Sequence, residues 1–234
     1  MSNVLIDDPD LGAELSGPRL RRAEHDLIAA VMVIEGRRWT PDEEAGAARG
    51  GIGLLVLEGL LVRRVGLDGR FGAELLGPGD VLRPWQDAGE ESALHCDATF
   101  RVVERTLAAQ LDRRFTACLA QYPEVVAALV GRALQWSRTL SVNMAIAHST
   151  RVDQRLLLLF WHLADRWGHV TSEGVRVDLT LTHGVLADLV LSRRPSVTAA
   201  LTHLANEGVL RHTGAGWMLT GHPPHELRAL ALTA

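Results

Sequence analysis

The sequence predicts an α+β chain: an antiparallel β-roll first, one long helix next, and a small unit of helices and a β-hairpin last. Three observations predict it. From about residue 29 to residue 109, short apolar runs alternate with glycine-containing breaks. Between residues 126 and 147, apolar and small residues recur in alternating steps of four and three. Over residues 182–220, two short amphipathic helical patterns precede a glycine-bounded hairpin pattern.

Composition narrows the class. At 234 residues the chain has room for one large domain or two modest ones. Hydrophobic content of 47% and charged content of 22% fit a globular protein. No apolar run approaches the ~20 residues that span a bilayer, and the acidic N-terminus lacks the basic start of a signal peptide. A cytoplasmic protein without a membrane partner is the expectation. Two cysteines, Cys96 and Cys118, are too few for a disulfide framework or a four-thiolate cluster within one chain. All 24 basic residues are arginine. Any phosphate contact must then come from Arg, His, hydroxyls or backbone amides.

In chain order, residues 1–24 are polar and acidic, then carry Arg19, Arg21 and Arg22, and read as a partly ordered lead-in ending in a helical turn. Strands are expected at residues 31–34, 54–57, 60–63, 71–76, 81–82, 93–95 and 100–103. Glu58 and Gly59 separate two of them as a turn, and Leu76, Gly77, Pro78, Gly79 and Asp80 supply another. His25, His95 and Cys96 show no ligand spacing, so ordinary packing is expected there, with no metal and no cofactor. Cys118 reads as an inert, buried thiol in an apolar helix.

Residues 106–121 read as one helix, stopped near Tyr122 and Pro123, and residues 124–148 as a longer one. Val126, Val130, Ala133, Ser137, Leu140, Met144 and Ala147 form its seven-residue repeat, the mark of a two-helix seam. Leu129, Leu134 and Trp136 form a second apolar side able to face the roll, so the seam is free for a second copy and a homodimer is expected. A hinge follows at residues 149–153. There Thr150 and Asp153 resemble a capping box, opening a helix that ends at Gly168. Residues 175–179 read as a short strand.

Thr182 is a good N-cap for the next helix, on which Leu186, Leu189 and Val190 recur at helical spacing. After a break at residues 191–193, a second helix runs over about 194–206, with Pro195 in its first turn. Val197, Ala200, Leu201 and Leu204 lie on its inner face. Pro195, Thr198, Ala199, Thr202 and Asn206 lie on the outer one, behind Arg193 and Arg194. A helix buried on one side, short-chained and uncharged on the other, with guanidinium groups at its start, suits a DNA major groove. After Gly208, residues 209–211 and 217–219 flank the Gly214–Gly216 turn as a wing.

Leu181, Thr182, Leu186, Ala187, Asp188, Leu189, Ser192, Arg193, Arg194, Val197, Leu201, Leu204, Glu207, Gly208, Val209 and Leu210 carry a resemblance. Together with the strand-Glu-Gly-strand and Leu-Gly-Pro-Gly-Asp patterns of residues 54–80, they resemble the Crp/Fnr family of bacterial transcription regulators. The resemblance implies a β-roll sensor domain over 1–122, a dimerisation helix and hinge over 123–149, and a winged helix-turn-helix DNA-binding domain over 150–234. It implies a homodimer on a palindromic double-stranded site, with RNA polymerase and a small-molecule effector as further partners. Arg194 stands where the family reads guanine. Arg193, Ser196, Thr198, Ala199 and Thr202 would supply further base or phosphate contacts. Thr182 and His183 would meet a phosphate at the first helix, and Arg211, His212 and Thr213 would do so from the wing.

Two departures stand out at the recognition helix. Pro195 replaces a base-reading Glu and Ala199 a second Arg, so the usual half-site is not implied, and Ala199 suits a thymine methyl instead. In the sensor region, the phosphate cassette of the cyclic-nucleotide binders is shortened, and Asp87, Glu90 and Glu91 stand where cations are needed. Arg83 and Trp85 are the remaining candidates for an effector contact. Two other readings stay open. One is an effector-binding protein that works through protein contacts. The other is a cupin-like enzyme of small molecules, which would need a His/Glu metal set on facing strands.

Overall fold

A computed structural model describes residues 1–41, 43–67, 70–84, 96–214 and 216–223. The chain divides into two compact units, Met1–Leu140 and Ser141–Ala234. Among the described residues no helix is long and apolar enough to cross a membrane.

In the first unit, β1 (Ser2–Asn3), α1 (Val4–Asp7) and α2 (Gly17–Asp26) lead into β2 (Ile28–Ile34) and β3 (Arg38–Trp39). After α3 (Glu43–Gly46) come β4 (Gly53–Leu67), β5 (Arg70–Leu76), β6 (Val81–Leu82) and β7 (Asp97–Leu111), then α4 (Arg113–Leu119). The sheet is antiparallel in the order β1-β2-β7-β4-β5, with β3 on β7 and β6 on β4. Leu54, Val56, Leu61, Leu76 and Phe100 fill its interior. Leu11, Leu27, Leu111, Phe115 and Tyr122 form a second core between sheet and helices.

Three expectations are corrected here. Residues 54–57 and 60–63 are not two strands joined by a turn but parts of β4, whose pairing with β7 shifts register between Val56 and Leu61. Gly59 makes this bulge. It sits at φ +86°, and a Cβ there would lie 2.2 Å from the Arg105 carbonyl. A glycine at positive φ serves a hairpin turn or a bulge equally well, so local sequence cannot separate them.

Residues 106–111 are not helical either. They end β7, pairing with β2 from Ile34↔Thr106 to Ala30↔Gln110, so long-range pairing overrides local preference. The helix, α4, starts only after Asp112, whose Oδ1 accepts from the Phe115 amide at 2.9 Å. Thirdly, the lead-in is ordered helix, with Val4, Leu5 and Ala23 buried. The strand expected at 93–95 lies outside the described residues. Cys118, on α4, is half-buried rather than buried.

The long helix α5 spans Pro123–His148. Its first turn is tied to α2 by Arg19, whose Nε donates to Glu124 Oε1 at 2.8 Å. Leu129 is buried, and Trp136 Nε1 donates to Glu74 at 2.8 Å, so both face the sheet as expected. Leu134 does not; it is 68% exposed. Five residues on from Leu129, it is rotated by about 140° around the helix.

The second unit contains α6 (Val152–Trp167), β8 (Gly168–Thr171), β9 (Gly174–Val177), α7 (His183–Leu189), α8 (Arg194–Asn206), β10 (Leu210–Thr213) and β11 (Gly216–Leu219). Its sheet runs β10-β11-β9-β8. Trp217 packs on Phe160 with ring centroids 4.7 Å apart, joining sheet to α6. The Thr150/Asp153 capping box does not form. Arg151 is the N-cap of α6, and Asp153 pairs with it at 2.5 Å.

Candidate nucleic-acid interface

Thr182 caps α7 as expected, its hydroxyl accepting from the Val185 amide at 3.3 Å. The turn into α8 is built by Leu191, at φ +51°, and by the Ser192 amide, which donates to the Ala187 carbonyl at 2.9 Å. Arg155 reaches across from α6 and donates to the Val190 and Leu191 carbonyls at 2.8 and 3.2 Å. Carbonyls left open at the end of α7 are thereby satisfied, and the angle between the two helices is fixed by a guanidinium. Sequence reading missed this role of Arg155, because the contact joins residues 35 apart and leaves no local signature.

Helix α8 buries Val197, Ala200, Leu201 and Leu204. Arg193, Arg194, Pro195, Ser196, Thr198, Ala199, Thr202 and Asn206 are all exposed, so the two faces lie where the periodicity put them. His183 Nδ1 lies 2.8 Å from Thr198 Oγ1 and ties α7 to this outer face. The Thr198 hydroxyl donates to the Arg194 carbonyl at 3.1 Å, and the Thr202 hydroxyl to the Thr198 carbonyl at 3.0 Å.

On the wing, Arg211 is exposed but pairs with Glu173 at 2.5 Å. His212 stands edge-on to Trp217, with centroids 4.8 Å apart. Thr213 keeps its hydroxyl oxygen away from solvent. Beside the base of α8, His203 Nε2 lies 3.5 Å from Asp153. A hydrogen bond from Arg151 holds that carboxyl below the usual aspartate range, and the nearby His203 acts in the same direction. Within α6, burial holds the His162 imidazole below its ordinary value.

Of the seven-residue stripe on α5, Val126, Val130, Ala133, Ser137 and Met144 are exposed, and Leu140 and Ala147 are half-buried. Val130 and Met144 are 53% and 67% exposed. In the first unit, a cavity of about 400 Å³ is lined by Arg63, Asp80, Arg83, Arg132, Trp136 and Leu129, among others. Two of its cations, Arg63 and Arg132, are matched by carboxylates. Arg63 pairs with buried Glu74 and lies 5.2 Å over the Trp136 ring, and Arg132 pairs with Asp8. Arg83 thus lines a cavity, whereas Trp85 lies outside the described residues.

Comparison with known proteins bears on both units. The profile of the Crp-like helix-turn-helix domain matches residues 154–230. A protein of Porphyra purpurea named as an HTH-type transcriptional regulator, ycf28, is 32% identical over 83 residues. That match covers 36% of this chain and 35% of the relative, so the chain spans about a third of the length of the curated relative it matches.

Among solved structures, a CooA mutant from Carboxydothermus hydrogenoformans superposes with a TM-score of 0.64 at 16% identity. The match covers 87% of this chain and 88% of that one. A cyclic nucleotide-binding domain containing protein from Listeria monocytogenes EGD-e gives a TM-score of 0.64 at 14% identity, covering 90% and 96%. At such identities the likeness is one of fold. Residues 154–230 thus match a Crp-like helix-turn-helix domain, and the chain as a whole shares the fold of these two structures.

Proposed function

We propose that this chain is a homodimeric, sequence-specific DNA-binding transcription regulator of the cytoplasm, with its base-reading surface on the outer face of α8. The observation that carries the reading is the exposed, otherwise uncharged face that begins with Arg193 and Arg194 on a helix whose other side is buried. Arg194 would read guanine, and Arg193, Ser196, Thr198, Ala199 and Thr202 would complete the surface. Thr182 and His183 on one side, and Arg211 and His212 on the other, would contact phosphates. Thr213, expected from the sequence to join them, has its hydroxyl oxygen buried and could offer only its backbone.

Two copies would pair along the exposed α5 stripe. Val126, Val130 and Ala133 also line the 400 Å³ cavity, so a partner helix would lie against a ligand there and sense it. The carboxylates that match Arg63 and Arg132 disfavour a cyclic nucleotide, and an effector of another class is proposed. The domain limits proposed are 1–122 for the sensor roll, 123–149 for the pairing helix and hinge, and 150–234 for DNA binding.

Selection of bound fragments from genomic DNA tests this reading. Enrichment of a palindrome with half-sites about 34 Å apart is expected. Absence of any enriched sequence, with the dimer intact, would leave the protein-contact reading in its place.

A further inference from the structure

The outer face of α8 carries two threonines whose hydroxyl protons are already committed. Thr198 Oγ1 donates to the Arg194 carbonyl at 3.1 Å and faces His183 Nδ1 at 2.8 Å, and Thr202 Oγ1 donates to the Thr198 carbonyl at 3.0 Å. A hydroxyl has one proton to give. Neither threonine can therefore donate to a base edge without breaking a bond inside the helix. With each Oγ1 held toward the carbonyl one turn back, the Cγ2 methyl is left as the outward part of the side chain.

Between these two methyls stands Ala199, and one turn before it Pro195, both exposed. Residues 195, 198, 199 and 202 share one side of the helix by their spacing. They cover about 10 Å of helix length, or roughly three base-pair steps. Beyond the arginines, the middle of the base-facing surface is thus a strip of methyl and methylene groups.

Resting on the DNA-binding reading above, we infer that this strip recognises pyrimidine C5-methyl groups: the half-site pairs a guanine, read by Arg194, with adjacent thymines read by apolar contact. In the major groove only the thymine methyl offers an apolar feature among the four bases. Thr198, Ala199 and Thr202 are then specificity-determining residues, and His183 is a positioning residue that holds Thr198 in the methyl-out arrangement.

Deoxyuridine lacks only that methyl and keeps every hydrogen-bonding group of thymine. The test takes the sequence enriched from genomic DNA and replaces its thymines by deoxyuridine one at a time in a salt-controlled binding assay. Loss of about fourfold per contacted position is expected, the worth of one buried methyl. At a contacted thymine, Thr202→Val should keep the preference for thymine over deoxyuridine, because it keeps an outward methyl. Thr202→Ser should lose it while still binding the duplex. Equal affinity for the thymine and deoxyuridine duplexes overturns the inference yet leaves the regulator reading standing. Failure to enrich any sequence overturns both.

Discussion

Leu191 is a non-glycine residue in the left-handed region, at φ +51°, and it is 47% exposed. That conformation costs an L-residue about 1–2 kcal/mol, and the exposed side chain recovers little of it by burial. Leu191→Gly removes the strain but loosens the unfolded chain. A net gain of up to ~1 kcal/mol in the stability of the C-terminal unit is expected, read from denaturant unfolding. Arg194→Ala should cost about 1–3 kcal/mol in specific DNA affinity and relax preference at one base pair, measured by competition among single-site variants of the target. His162 adds a pH dependence. Burial lowers its folded-state value, against the effect of Asp165 and with that of Arg166, so the unfolded chain binds the proton first on acidification. Stability is then full above the ordinary imidazole range and falls as pH drops below about 6.5. His162→Gln should flatten that fall, as followed by thermal unfolding between pH 7.5 and 5.5.

Among the elements, α5 has two kinds of face. One is fixed to the roll through Leu129, Trp136 and Arg132. The other exposes Val130 and Met144, which the fold of a single copy does not use. Val130→Glu with Met144→Glu should therefore leave far-ultraviolet dichroism unchanged while converting the proposed dimer to monomer in sedimentation velocity, since a seam core rejects charge. A doubly substituted protein that sediments as the unsubstituted one would remove the stripe from the interface. The helix-turn-helix was legible because its pattern is local: the N-cap at Thr182, the inner face from Val197 to Leu204, and Gly208 at φ +70° are all set within a few residues. Residues 106–110 were not legible as strand, because their partners lie 72 to 80 residues earlier in β2. The hinge cap failed for a smaller reason: Arg151 captured Asp153 and moved the helix start.

For the molecule as a whole, a net charge of −4 must be reconciled with the proposed binding to a polyanion. Position resolves this, because an affinity depends on which cations reach phosphate. Arg211 is held by Glu173 on the wing, an exposed pair of little worth to stability. Glu173→Gln should free it, raising DNA affinity and steepening the dependence of log K on log salt by about 0.9 per wing. An unchanged slope would place the wing away from the backbone.

Periodicity and turn residues alone determined the class of this chain, the two faces of its α8 helix and the stripe along α5, since each depends on neighbours within about two helical turns. Only the tertiary structure decided that β4 runs unbroken through Gly59, that Arg155 sets the turn between α7 and α8, and that Arg63, Arg132 and Trp136 border one cavity beside buried Glu74. Those features join residues far apart along the chain. The energy that selects them comes from long-range pairing and burial, which local spacing does not encode.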